Sequence, residues 1–142
     1  MKFGGIEHRK CEVFAGTFQL SAEYGLESFD FVRKVMTSPK LNWLFMIDEC
    51  QEWCDRWYLL DVLRNQCNLK FKEGKTIDPY VMWFAGYLYK YWMITRDVSR
   101  QEVYKILPFK RLVASFDFLH TQGWEFVIEE SIRMYNDKSY II

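Results

Sequence analysis

The chain of 142 residues has no net charge, with 19 Lys and Arg against 19 Asp and Glu. It holds only three prolines, seven glycines and two histidines. The missing charge argues against the basic footprint of unspecific nucleic-acid binding. Scarce histidine leaves few candidates for general-base chemistry, and no glycine-rich loop follows a strand pattern, so a phosphate cradle has no support. No long hydrophobic run occurs either. The most apolar stretch, Tyr80 to Thr95, is about 16 residues long and contains Lys90 and four tyrosines, short of the roughly 20 that span a bilayer. The first 25 residues include Glu7, His8, Arg9, Lys10 and Glu12 and carry no apolar run of the signal-peptide kind. The expectation is a soluble cytoplasmic protein without a membrane span.

Rings are what the sequence does have: 12 Phe, 9 Tyr and 6 Trp. A chain of this length folds as one domain and buries roughly two thirds of its unfolded surface. Half apolar and 27% charged is a globular composition. The rings therefore either fill one dense core or are partly covered by a partner, and pairing with a second copy stays open.

The periodicity predicts a mainly α fold: a single-domain bundle of six or seven helices around a long central aromatic helix. A short extended or strand-like arm over 1–25 precedes a helical domain over 26–142. Gly16 and Gly25 read as turn points in that arm. From Ser28, Phe29, Val32, Val35 and Met36 recur at helical spacing. Ser38-Pro39 and Asp78-Pro79 are helix starts, an N-cap followed by proline at the first helical position. A further helix starts near Asp55, with Tyr58, Leu59, Val62 and Leu63 inward. Residues 79–95 form the longest helix, aromatic on nearly every face, and Gly86 in its middle implies close approach by another helix. Ser99-Arg-Gln-Glu102 fits a capping box. A helix over 109–120 follows, then Gly123 in a positive-φ helix end, then a last helix from Trp124 to Tyr135.

Chemistry leaves few traces. Cysteines 11, 50, 54 and 67 read as thiols. Zinc held by Cys50 and Cys54 with His8 and Cys11 lacks the usual tight ligand pairs, so no metal and no cofactor is expected. His120 could centre a small enzyme, but no G-x-S-x-G or HExxH signature surrounds it. Between Lys90 and Arg111, six cations (90, 96, 100, 105, 110, 111) face two acids (97, 102). The order of long helix, short turn and short helix there resembles a helix-turn-helix. A DNA-binding regulator would then aim Arg100, Gln101 and Lys105 into the major groove.

Three stretches carry a resemblance: Phe29-Asp-Phe-Val-Arg-Lys-Val-Met-Thr-Ser38, Gly86-Tyr-Leu-Tyr-Lys-Tyr-Trp92, and Ser99-Arg-Gln-Glu-Val-Tyr-Lys-Ile106 with Leu119-His-Thr-Gln-Gly123. Over residues 28–135 the chain resembles a family of small bacterial antitoxin-like proteins encoded beside ADP-ribosyltransferase-like toxins. The resemblance implies a non-enzymatic module that binds and silences a cognate toxin in the cytoplasm. It falls on Tyr87, Tyr89, Tyr91, Trp92, Tyr104, Lys105, His120 and Thr121. The expected partner-binding residues are Tyr87, Tyr91, Trp92, Arg96, Arg100, Tyr104, Lys105 and His120, with no catalytic residue among them.

Overall fold

The structure is a computed structural model, and it describes residues 3–46 and 55–137. Cys50, Cys54, Asp48 and the apolar tail Tyr140 to Ile142 lie outside the described residues. Within them the fold is mainly helical: α1 (Gly5–Glu23), α2 (Ser28–Thr37), α3 (Asn42–Met46), α4 (Arg56–Asp61), α5 (Pro79–Arg96), α6 (Arg100–Ile106), α7 (Phe109–Ala114), α8 (Phe116–Leu119) and α9 (Trp124–Asn136). Among the described residues, β pairing is limited to an isolated bridge between Leu26 and Glu73. No described helix is long and apolar enough to cross a membrane.

The expected N-terminal arm is instead the longest described helix, 19 residues against the 18 of α5, and it contributes to the core. In α1, Phe14, Ala15, Gly16, Thr17, Phe18, Leu20 and Ser21 are all buried. Its start is held by the Gly4 N–H, which donates to Glu7 Oε1 at 2.8 Å. It ends where Gly25 takes a φ of 77° and the Leu26 N–H reaches back to the Ser21 carbonyl at 3.0 Å. That is a glycine left-handed cap, so Gly25 is a turn point but Gly16 is not. The small buried hydroxyls satisfy themselves locally: Thr17 Oγ1 donates to the Val13 carbonyl and Ser21 Oγ to that of Phe18.

α1 and α5 form the most extensive helix pair of the molecule. The Gly86 backbone lies against Ala15 and Phe14, as its mid-helix position implies. Local N-cap signals hold at Asp55, Asp78 and Ser99, although at Ser99 only half of the capping box forms, since the Glu102 carboxylate accepts from Ser99 Oγ and not from its backbone N–H. Asp55 Oδ1 accepts from the Trp57 and Tyr58 N–H groups, Asp78 Oδ1 from that of Tyr80, and Ser99 Oγ from that of Glu102. Two expectations about helix ends fail. Gly123 sits at φ −72° as the N-cap of α9, while the left-handed residue is Asp97 (φ 51°), which closes α5. The helix expected over 109–120 breaks at Ser115 into α7 and α8. Tyr58, expected inward, is exposed.

Candidate interaction surface

On α5, Trp83, Tyr87 and Tyr91 stand one turn apart and form a ladder of stacked rings. Trp124, the first residue of α9, lies over Tyr87 at 4.8 Å between centroids. Each tyrosine hydroxyl then finds a polar partner at the edge of the ladder. Tyr87 Oη and His8 Nδ1 share a hydrogen bond of 2.5 Å, and His8 Nε2 stands 3.5 Å from Glu12 Oε1. Tyr91 Oη donates to Glu125 Oε2 at 2.7 Å. Arg96 bridges Glu125 (3.0 Å) and Glu129 (2.8 Å), so the acidic face of α9 is tied to the end of α5. Burial, and then the bond to Glu125, pushes the Tyr91 hydroxyl up to about 12. Burial likewise raises Tyr87. The same Tyr91 bond, helped by Arg96, holds Glu125 below the ordinary carboxylate range. His8 and Tyr87 are a pair the sequence offered no sign of, because their separation in the chain is 79 residues.

The eight expected contact residues divide by depth. Tyr87 and Trp92 are buried, Trp92 almost completely, because α1 and α9 cover the helix that carries them. Arg100 is 2% exposed, although the DNA-binding reading aims it into a groove. Its guanidinium donates to the carbonyls of Val35 (2.9 Å) and Ser38 (2.6 Å) and to Asn42 Oδ1 (2.7 Å). It also lies over the Phe45 ring at 4.9 Å. This is a brace between α6 and the α2–α3 connection, and burial lowers its pKa to about 10, which still leaves it charged at neutral pH. Lys90, another cation of the basic run, is buried with its ammonium over the same ring at 5.0 Å. Tyr91, Arg96 and Tyr104 are half-buried, while Lys105 and His120 are exposed.

His120 stacks on Phe116 with centroids 4.7 Å apart, and its Nδ1 bonds to the Phe116 carbonyl at 2.8 Å. It is a helix-end histidine in contact with rings. Phe116 in turn meets Tyr80, from the first turn of α5, and Phe84. Phe84 packs on Trp124, and Phe118 of α8 meets Phe126 of α9 edge to face at 6.2 Å. Short α8 thus gathers the rings of three helices at one end of the bundle. Three of them face solvent: Tyr80 is 57% exposed, Phe118 54% and Phe126 45%. Exposed rings elsewhere, among them Tyr24 and Trp57, do not belong to this end.

Of the residues weighed for a metal, Cys11 is fully buried and His8 is engaged with Tyr87 and Glu12. Among the described residues, no group of three or more His, Cys, Asp or Glu could hold a metal ion. Compared with family models, with curated proteins and with solved structures, the chain matches none.

Proposed function

We propose that this chain is a non-enzymatic protein-binding module, an antitoxin-like inhibitor that acts in the bacterial cytoplasm by covering a cognate toxin. The observation that carries the reading is the exposed edge-to-face pair of Phe118 and Phe126 on α8 and α9, together with exposed Tyr80, which packs on Phe116 of the same α8. Fully burying one such ring is worth roughly 1.5–3 kcal/mol, so three exposed together favour association. Aromatic anchors on a rigid base are also what protein interfaces concentrate their energy in. His120, with its Nδ1 held by a backbone carbonyl, fits the rim of such a surface better than the centre of an enzyme. The toxin as partner comes from the resemblance over residues 28–135.

Co-expression with the product of the adjacent gene tests this reading. A co-purifying complex that suppresses the neighbour's toxicity is expected, and Phe118→Ala with Phe126→Ala should weaken it at least tenfold while the helical signal persists. A neighbour that is neither toxic nor bound overturns it.

A further inference from the structure

Between the first turns of α2, the extended segment 69–77 and the α6–α7 junction lies an open cleft of about 460 Å³. Arg33, Lys72 and Lys110 line it together with the rings of Phe29 and Tyr104. Two carboxylates line it as well, and both are engaged inside the protein. Glu27 Oε2 accepts from the Asp30 N–H at 2.7 Å, capping α2. Asp30 accepts from the Lys72 N–H (2.9 Å), from Lys34 Nζ (3.1 Å) and from Arg33 (3.1 Å). The ammonium groups of Lys72 and Lys110, by contrast, make no ion pair among the described residues, and both residues are exposed. The cleft therefore presents net positive charge in a chain that has none overall.

Its walls are fixed in advance. The Glu27 and Ser28 N–H groups donate to the carbonyls of Lys72 (2.8 Å) and Lys75 (3.2 Å), and the Ile77 N–H donates to Ser28 Oγ (2.7 Å). The segment bearing Lys72 is thus strapped across the start of α2. Phe29 is 38% exposed and leans on buried Phe109 at 5.1 Å. Arg33 and Tyr104 line the same cleft; burial raises the Tyr104 hydroxyl, and the Phe109 N–H and the Arg33 charge oppose that rise.

We propose that this cleft binds a nucleotide, free or as part of a single strand, with its phosphate at Lys72, Lys110 and Arg33 and its base stacked on Phe29. A basic groove with an accessible ring is the arrangement that holds single-stranded nucleic acid with little sequence preference. An acidic peptide would use the cations and leave the exposed ring unused, and a concave cleft of this size admits a nucleotide but no duplex. None of the residues lining it is Tyr80, Phe118 or Phe126.

The test is fluorescence anisotropy of the full chain with a labelled oligouridine of about 12 nucleotides. Binding is expected at about 50 mM salt, weakening with a log–log slope near −2 if three cations meet phosphates. Lys72→Glu with Lys110→Glu should lower affinity at least tenfold and Phe29→Ala at least threefold. Arg64→Glu, in the helical turn after α4 and outside the cleft lining, should change it less than twofold. Competition by AMP alone would assign a free nucleotide, and competition by unlabelled oligouridine alone a strand. No binding at low salt, an equal loss in Arg64→Glu, no loss in Phe29→Ala, or displacement by polyglutamate as effective as by oligouridine would each overturn the proposal.

Discussion

A Cβ placed on Gly86 would stand 2.8 Å from the Ala15 Cα and 3.0 Å from the Phe14 carbonyl oxygen, so α5 meets the backbone of α1 directly. Backbone atoms cannot step aside as a side chain can. Gly86→Ala should therefore destabilise by about 1–3 kcal/mol, even though alanine favours a helix by roughly 1 kcal/mol. Gly16 makes the contrast: a Cβ there meets Arg56 Cδ at 2.8 Å, a point on a flexible side chain. Urea unfolding should show Gly86→Ala clearly less stable and Gly16→Ala near wild type. Equal effects would mean that α1 and α5 are not this close.

Features carried by neighbouring residues were readable in the sequence. Ser38-Pro39, Asp55, Asp78-Pro79 and Ser99 cap helices because their bonds close within two or three residues. α1 was not readable because burial on nearly every side mixes Thr17, Ser21 and Gly16 among Phe14, Phe18 and Leu20, and no apolar stripe remains. Missing α1 also hid the site. Much of what covers α5, the helix that carries Tyr87 and Trp92, comes from α1, more than 60 residues away in the chain, and from α9, more than 30 away, so no local pattern separates them from Tyr80. Gly123 and Asp97 show the same limit, since either could end a helix and only the path of the next element decides which turns left-handed.

Arg100 joins α6 to the α2–α3 connection through three acceptors, two of them backbone carbonyls. Arg100→Met keeps much of the volume but leaves those acceptors without their charged donor. A loss of about 2–4 kcal/mol is expected, read as a lower denaturation midpoint. Lys105→Met, on the exposed side of the same helix, should change stability by less than about 0.5 kcal/mol. If Arg100→Met is equally mild, the guanidinium is not a brace.

Asp30 links the start of α2 to the strap at Lys72. Burial alone would raise its carboxyl, but the Lys72 N–H, the Lys34 bond and the Lys34 and Arg33 charges outweigh that and lower it. A carboxyl lowered by folding stabilises above its unfolded pKa, about 3.9, and that contribution disappears as pH falls through the folded value. Asp30→Asn should thus be less stable by roughly 1–3 kcal/mol at pH 7. The gap between the two proteins should narrow steadily below about pH 4. A gap that stays constant from pH 7 down to acid unfolding would assign the loss to packing and not to charge.

Cys11 is fully buried beneath the Tyr87 ladder, and burial pushes its thiol up to about 12, with Lys90 opposing and Glu12 and Glu7 adding slightly. Two consequences follow, one kinetic and one thermodynamic. Thiolate is the nucleophile, and against an ordinary value near 8.5 the folded chain at pH 8 holds roughly a thousandth as much of it. Alkylation followed by peptide mass spectrometry should leave Cys11 unmodified in the native protein and label it fully in urea. Because the unfolded thiol ionises first, stability is intact below about pH 8.5 and falls as pH rises from there towards the folded value. Cys11→Ala should flatten that fall between about pH 8.5 and 10, before the raised tyrosines Tyr87, Tyr89 and Tyr91 begin to contribute. Native-state labelling of Cys11 at a rate typical of an exposed thiol would show that the α1–α5 seam opens far more readily than its packing implies.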